Sequence, residues 1–365
     1  MLLSRIRSKH SIKSLTALPQ IIIRHSHHTA NMKVLLTGGS GFIAAHCVDI
    51  LLKHDHDVVF TVRSDEKGQK ILKNHPGTPS SKLSYVIVKD IAQENAFDEA
   101  VKSDPPFEAV LHTASPFHFN VTDVKKDLLD PAIIGTTGIL KAVKKSASSV
   151  KRVVVTSSFA SIINPAKHPE KYSEEHWNPI TQEEAVQNPS NGYRASKTFA
   201  EKAAWDFVEK EKPNFQLSTI NPPLVLGPVV HYLNSLEGIN TSNERIANMI
   251  QGKCKEKGLP PTGTFLWVDV RDVALAHVKA AEVPDAAGKR FFVTAGYMSN
   301  GEIAQIIKKN FPDLVDKLPT NLDSDRPKDL FGYDNSRSKE VLGIKYNNLE
   351  ETIKDTVKSL LAVGA

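Results

Sequence analysis

Cysteine is scarce in this chain of 365 residues, which contains only Cys47 and Cys254 and no Cys-x-x-Cys pair. That scarcity excludes a disulfide framework and a cysteine-rich metal centre, and we expect no metal site. Long hydrophobic runs are also missing. Aliphatic runs such as residues 21–23 are three or four residues long, whereas a membrane-spanning helix needs about 20. These absences indicate a soluble intracellular protein with no integral membrane segment.

Acidic residues are absent from the first 31 positions, where the basic residues are Arg5, Arg7, Lys9, Lys13 and Arg24. These are five of the chain's 46 basic residues, so 41 basic side chains face 41 acidic ones in residues 32–365. The net charge of +5 therefore belongs to this leader, and the neutral remainder excludes a nucleic-acid binder.

The composition of the leader, with scattered cations, Ser, Thr and aliphatic residues, is typical of a mitochondrial presequence. We therefore expect a mitochondrial location. The alternative is a cytoplasmic protein in which residues 1–31 are a disordered extension, or upstream sequence ahead of a start at Met32.

Short β-branched runs alternate with helical patterns in the remainder, which is typical of βαβ units around a parallel sheet. Helices on both faces explain why these runs are apolar nearly throughout. The predicted strands are 33–37, 57–62, 83–89, 107–112, 151–156, 216–221 and 290–294. The predicted helices lie near 42–54, 65–74, 122–146, 192–212, 270–282 and 348–362.

This alternation predicts an α/β fold with a Rossmann-type doubly wound parallel sheet. Proline pairs and a Gly-Pro step interrupt the pattern after about residue 222. We therefore expect a nucleotide-binding domain over 32–222. A smaller α/β substrate lobe over 223–365 would be interleaved with its sheet.

The first predicted strand leads directly into a glycine-rich turn and then a helix, with the sequence TGGSGFIA at residues 37–44. Glycines allow a tight turn that approaches a pyrophosphate closely, and a helix N-terminus offers free N–H groups to it. The spacing departs from the more familiar G-x-G-x-x-G, but the strand–turn–helix context favours a dinucleotide site. Its residues would be Gly38, Gly39, Ser40, Gly41, Phe42 and Ile43.

The end of the second predicted strand favours NADP(H) over NAD. An acid there would bind the ribose 2′-hydroxyl of NAD, whereas a cation accommodates the 2′-phosphate of NADP. This chain has Arg63 at that place and Lys67 one helical turn later. The alternative is that both are solvated and that Asp65 or Glu66 binds the ribose. Asp90, after the third strand, is placed for the adenine, although it could equally be a helix N-cap.

The pattern Tyr-x-x-x-Lys occurs twice, at Tyr85–Lys89 and at Tyr193–Lys197. The first pair lies in a predicted strand, where four residues span about 13 Å and the side chains cannot cooperate. The second lies in a helical pattern, where residues i and i+4 are about 6 Å apart on one face. We expect Lys197 to lower the pKa of the Tyr193 phenol and to make it a proton donor or acceptor.

The fifth predicted strand ends in a serine-rich segment at the edge of the sheet where ligands bind in such folds. A serine hydroxyl there could hold a carbonyl oxygen beside Tyr193. Ser158 is the candidate, with Ser157 as the alternative.

At these residues the chain resembles the extended short-chain dehydrogenase/reductase family over roughly 33–300. Within it, the similarity is to the dihydroflavonol-4-reductase-like branch, and most closely to fungal NADPH-dependent aldehyde and ketone reductases of the methylglyoxal type. The segments that carry the resemblance are LLTGGSGFIA at 35–44, VRS at 62–64, LHTASPF at 111–117, YRASK at 193–197, and INPP at 220–223 followed by Gly227-Pro228.

The resemblance implies a Ser158–Tyr193–Lys197 triad, in which Lys197 also holds the nicotinamide ribose. It implies further cofactor contacts from Arg63, Lys67, Asp90, Ile91, Val225 and Ser242. It also implies an apolar substrate pocket lined by Phe117, Phe119 and Phe159, although phenylalanines at such places are often plain core.

These features predict an NADPH-dependent reductase that transfers a hydride to small or medium aldehydes and ketones, with Tyr193 delivering the proton. Its partner would be a small carbonyl substrate, and the chain would be a monomer or a homodimer. The alternatives are a 3β-hydroxysteroid or flavonoid-type dehydrogenase, and a nucleotide-sugar epimerase or dehydratase on the same scaffold. Against the latter, Arg63 and Phe159 stand where those enzymes have acids. A regulator that senses NADP without turnover would not need the Tyr–Lys pair.

Overall fold

The computed structural model describes residues 31–115, 121–230 and 236–365. Along these residues the strands and α-helices are β1 (Lys33–Thr37), α1 (Phe42–Lys53), β2 (Asp57–Val62), α2 (Asp65–Lys73), β3 (Leu83–Ile87), β4 (Ala109–His112), α3 (Asp130–Ser146), β5 (Arg152–Thr156), β6 (Lys171–Tyr172), α4 (Gln182–Ala185), α5 (Pro189–Glu211), β7 (Gln216–Asn221), β8 (Leu224–Leu226), α6 (Thr241–Ile250), β9 (Leu266–Asp269), α7 (Val270–Glu282), β10 (Arg290–Phe292), β11 (Gly296–Tyr297), α8 (Asn300–Asn310), β12 (Gly332–Tyr333), α9 (Ser336–Glu340) and α10 (Leu349–Ala362).

Seven parallel strands form the central sheet in the order β10-β7-β5-β4-β1-β2-β3. The order reverses between β1 and β4, so a crevice opens there at the carboxyl ends of the strands. The predicted doubly wound sheet is therefore confirmed. β10, which follows residue 223, pairs with β7 in this same sheet.

Both faces of the sheet are covered by helices, because successive strand residues point to opposite sides and nearly all of them are apolar. In β1, Val34 and Leu36 belong to the core cluster on one face, and Leu35 belongs to the cluster on the other. Helices α1 and α7 pack together, as do α3 and α5. The strand ends that form the candidate site are thus held by core on both sides.

The structure corrects several predicted element bounds. The third strand ends at Ile87, before a turn closed by the Asp90 carboxylate, which accepts a hydrogen bond from the Ala92 N–H at 2.9 Å. The helix predicted near 122–146 begins with a π-helical segment, Lys125–Leu129, and becomes α-helical at Asp130. Pro131 follows, and it has no N–H for a regular α-helical bond.

Two small sheets were not predicted. One joins β11, β9 and β8, and the other pairs β12 with β6. The last helix does begin after Asn348, as predicted, because the Asn348 side chain accepts a hydrogen bond from the Glu351 N–H at 2.9 Å. Among the described residues, none of the helices combines the length and the apolar character needed to cross a membrane.

Candidate active site

The glycine turn after β1 is too crowded for side chains. Gly38 has a φ of +75°, and a Cβ added there would lie 2.9 Å from the Ala114 Cα. A Cβ on Gly39 would lie 2.6 Å from the buried Phe60 ring. The turn is closed by a hydrogen bond from the Gly41 N–H to the Gly38 carbonyl at 2.8 Å. Glycine is therefore required by the left-handed backbone at the first position and by close packing at the second.

The N-terminus of α1 follows at Gly41, and no side chain caps it. Its first N–H groups and the helix dipole therefore favour an anion at the crevice. Gly41 is exposed, and Ser40 and Ile43 are half-buried. Phe42 is 9% exposed and packs into the core, so the backbone is the part of it that faces the turn. This cradle fits the pyrophosphate of a dinucleotide.

Arg63 and Lys67 are both exposed at the carboxyl end of β2 and in the first turn of α2. The two acids between them are engaged by other groups. Asp65 accepts a hydrogen bond from the Tyr85 hydroxyl at 2.5 Å, and Glu66 pairs with Lys70 at 2.6 Å. The cations rather than the acids are thus available at the place where the ribose 2′-position is expected.

The other predicted cofactor contacts lie in three places: the turn after β3, strand β8 and helix α6. Asp90 is exposed, and hydrogen bonds from Gln93 and Ala92 and the nearby charge of Arg63 lower its pKa. It closes a turn and caps no helix. Ile91 packs against Gly135 of α3. Val225 lies in β8 and is 8% exposed, whereas Ser242 is half-buried in the first turn of α6.

The predicted triad residues come from β5 and α5. Ser158 follows the carboxyl end of β5 and is half-buried, and hydrogen bonding to its hydroxyl acts to lower the pKa of the Tyr193 phenol. Tyr193 and Lys197 lie one turn apart in α5, because the helix begins at Pro189 under an Asn188 cap. Lys197 Nζ donates to the Ser115 hydroxyl at 3.0 Å. Ser157, the alternative to Ser158, is buried and bonds to Glu201 instead.

Burial decides the protonation of the Tyr–Lys pair. It raises the pKa of Tyr193 above its usual value, with only the hydrogen bond to Ser158 acting in the other direction. It also lowers the pKa of Lys197 to about 8. The predicted lowering of the Tyr193 pKa was therefore wrong in sign for this arrangement, since loss of solvent outweighs the hydrogen bonding to Ser158. A protonated phenol at neutral pH is the form that can donate a proton.

The other Tyr-x-x-x-Lys pair, Tyr85–Lys89, forms no such site. Tyr85 lies in β3, and its ring fills the space over Gly68, where an added Cβ would lie 2.5 Å away. Its hydroxyl is engaged by Asp65 and Gln69. Lys89 lies beyond the strand and is exposed. Nothing brings this tyrosine and this lysine together.

Of the three phenylalanines predicted to line a substrate pocket, the structure describes only Phe159. Phe117 and Phe119 lie outside the described residues. Phe159 is 3% exposed and stacks on Phe292, with ring centroids 5.0 Å apart. It also meets the Tyr172 ring edge-on at 5.3 Å. Phe159 therefore belongs to the core, where aromatic partners distant in sequence enclose it, and its place in a pocket lining stays a prediction.

Two further residues of the site lie at the carboxyl end of β4 and just beyond it. The His112 Nδ1 lies 2.9 Å from the Thr37 hydroxyl, which links the ends of β4 and β1. Burial, with the charge of Lys197 in addition, lowers the pKa of His112 to about 3, so the ring is neutral. Ser115 accepts the Lys197 bond. Their position at the carboxyl end of a central strand, the same signal that singled out Ser158, could have identified them.

Proteins of known sequence and structure resemble this chain over most of its length. A family model described as the NAD dependent epimerase/dehydratase family matches residues 34–296. A ketoreductase from Aspergillus niger is 49% identical over 330 residues, which is 90% of this chain and 97% of that protein. An NADPH-dependent methylglyoxal reductase from Saccharomyces cerevisiae is 39% identical, covering 90% of this chain and 98% of that protein. The crystal structure of a Candida albicans protein, Gre2, in complex with NADPH superposes with a TM-score of 0.83 at 39% identity, covering 92% and 100% of the two chains.

Proposed function

We propose that this chain, which belongs to the NAD dependent epimerase/dehydratase family, reduces small or medium-sized aldehydes and ketones with Tyr193 as the proton donor. The resemblance seen in the sequence is confirmed at the level of the family and its fungal ketone and methylglyoxal reductases. The chain is an NADPH-dependent oxidoreductase that acts on carbonyl or CH–OH groups. The role of Tyr193 and the size of the substrate are the proposed parts.

The cofactor would be held by residues that fit its charged groups. The glycine turn and the α1 N-terminus would receive the pyrophosphate, and Arg63 and Lys67 the 2′-phosphate. Lys197 is placed one turn from Tyr193, where the resemblance implies a contact with the nicotinamide ribose. NADPH, when bound, supplies the hydride for the carbonyl carbon.

The packing of the serine-rich turn after β5 against α5, which carries Tyr193 and Lys197, is the observation that carries the proposal. It sets a hydroxyl and a phenol side by side at the carboxyl edge of the sheet, where both can hydrogen-bond to one carbonyl oxygen. Because burial keeps the phenol protonated, Tyr193 can give its proton to that oxygen as the carbonyl becomes an alcohol. Ser158 would hold the oxygen in place during the transfer.

Turnover of a panel of carbonyl compounds tests the proposal. The purified protein is mixed with NADPH or NADH and with short aldehydes, diketones or bulky aryl ketones, and the loss of the reduced cofactor's absorbance is followed. We expect oxidation of NADPH with the smaller carbonyls. Interconversion of nucleotide sugars without net NADPH oxidation would contradict the proposal, as would turnover confined to steroid-sized ketones.

The subcellular location of the protein is a separate proposal. Residues 1–31 hold five basic residues and no acid, a composition that favours import into mitochondria. These residues, except Asn31, lie outside those the structure describes. Fusing residues 1–31 to a fluorescent protein tests this, and we expect a mitochondrial signal that is lost when the five cations are replaced by glutamine. Uniform cytoplasmic fluorescence would contradict it.

A further inference from the structure

A buried carboxylate lies next to the triad on the helix that carries Tyr193 and Lys197. Glu201 follows Lys197 by one turn of α5 and is 2% exposed. Residues four apart on a helix share a face, so Tyr193, Lys197 and Glu201 form one row toward the sheet. Tyr193 and Lys197 belong to the proposed triad. Glu201 was not predicted as a site residue from the sequence.

One oxygen of Glu201 binds the turn that carries Ser158. Its Oε2 accepts hydrogen bonds from the hydroxyls of Ser157 at 2.5 Å and Ser161 at 2.6 Å. Asn221, at the end of β7, donates to the same oxygen at 2.7 Å. The Ser161 hydroxyl oxygen also lies 2.7 Å from the Ser158 carbonyl oxygen, which is the competing acceptor for its single proton. Both sides of Ser158 are thus tied to a single carboxylate.

The other oxygen fixes the carboxylate to the sheet. Oε1 accepts from the Arg290 Nε at 2.6 Å and from the Thr219 hydroxyl at 2.8 Å. Arg290 is itself held, because its NH1 donates to the backbone carbonyls of Glu174 and His176 and its guanidinium lies 3.6 Å from the Trp177 ring centroid. The carboxylate therefore has six donor residues, including Trp205 at 3.3 Å, and little freedom to move.

The charge of this group is retained in the folded protein. Burial alone would raise the pKa of Glu201, but Arg290 and the two serine hydroxyls outweigh it and hold the pKa below its usual value. An ionised carboxylate accepts hydrogen bonds at both oxygens and donates none, so each hydroxyl around it must point its proton inward. That orientation is imposed on Ser157 and Ser161, the neighbours of Ser158.

We propose that Glu201 is a positioning residue that sets the placement of Ser158 relative to Tyr193 by tying residues 157–161 to α5. It acts through Ser158 and has no contact with the reacting atoms. The inference rests on the proposed roles of Ser158 and Tyr193. Glu201 and Tyr193 lie on one rigid helix, so a carboxylate that holds the serine turn also holds the spacing of the two groups that would bind the carbonyl oxygen.

Replacing Glu201 by glutamine keeps the shape and removes the charge. The amide leaves Arg290 without its counter-ion and presents an N–H₂ group toward hydroxyl donors, so residues 157–161 should shift. A displacement of about 1 Å at a reacting centre can cost about 100-fold in rate. We expect kcat to fall by about 10- to 100-fold, while the KM for NADPH stays nearly constant, since Arg63 and the glycine turn are not involved.

A double-mutant cycle separates positioning from general damage. If Glu201 acts through Ser158, then Glu201→Gln should lower kcat little further in a Ser158→Ala protein. Glu282→Gln is the matched control. Glu282 is also a fully buried carboxylate, paired with Lys279, His54 and His56, but the two histidines lie just before β2, at the amino end of the strands and away from the site. We expect this control to leave kcat unchanged.

A second, milder variant tests the proposal if Glu201→Gln does not fold. Ser157→Ala combined with Ser161→Ala keeps the pair between Glu201 and Arg290 and removes the two links to the turn, so the protein should stay folded, with a lowered melting temperature, while kcat falls. Full kcat in this variant would overturn the proposal, as would equal losses from Glu201→Gln in the presence and absence of Ser158. Failure of the proposed function is distinguishable, because Ser158→Ala alone would then keep full kcat.

Discussion

Replacing Arg63 and Lys67 together by alanine should remove the preference for NADPH. Both side chains are exposed, and the neighbouring acids are engaged by Tyr85 and Lys70. A hydrogen bond to a charged group contributes about 1.5–3 kcal/mol, and exposure lowers that contribution. Taking about 1–1.5 kcal/mol for each cation, the pair contributes about 2–3 kcal/mol, or about 30- to 150-fold in the KM for NADPH.

The assay is steady-state kinetics with NADPH and NADH at a fixed carbonyl concentration. We expect the double variant to raise the KM for NADPH while leaving that for NADH nearly unchanged, because NADH has no 2′-phosphate. Raising the salt from 0.1 to 1 M shortens the screening length from about 10 to about 3 Å, so it should raise the wild-type KM for NADPH more than that for NADH. Lys73→Ala, at the far end of the same helix, is the matched control. Equal losses for both cofactors would refute the assignment.

Two further predictions concern the glycine turn and the half-buried Lys197. Gly39→Ala should abolish NADPH binding in a fluorescence titration, because its Cβ would lie 2.6 Å from the buried Phe60 ring; wild-type affinity would contradict this. Lys197→Met should raise the free energy of unfolding at pH 7 by at most about 3 kcal/mol. The folded pKa of about 8 lies below the unfolded value, so wild-type stability rises with pH between them and the gain should vanish near pH 11. A gain that is the same in urea unfolding at both pH values would contradict the burial argument.

The central sheet could be predicted because its signals are local. Apolar runs of five or six residues mark strands buried on both faces, and the glycine turn marks the junction of β1 and α1. The strands β6, β11 and β12 are two residues long. They carry no periodicity, and their pairing depends on segments distant in the chain. The two small sheets therefore could not be predicted from the sequence.

At the site, residue spacing predicted neighbours but could not predict burial. Tyr193 and Lys197 share a helix face as expected, yet the pKa of Tyr193 is raised because of the core around it. Ser157 and Ser158 were both candidates, and extended backbone turns consecutive side chains in opposite directions. Ser158 therefore faces Tyr193, and Ser157 faces Glu201. The packed structure was needed to tell which serine faces which residue. Phe159 became core through Phe292, which is distant in sequence.

The most direct test of the account compares two tyrosines that are each followed by a lysine four residues later. Tyr193→Phe removes the proposed proton donor, and Tyr85→Phe removes a hydroxyl that is engaged by Asp65 and Gln69. A positioned general acid contributes about 100- to 10,000-fold. The account predicts that kcat for carbonyl reduction falls by at least about 100-fold in Tyr193→Phe with NADPH affinity retained, and that it is unchanged in Tyr85→Phe. Full kcat in Tyr193→Phe, or equal losses in both variants, would contradict it.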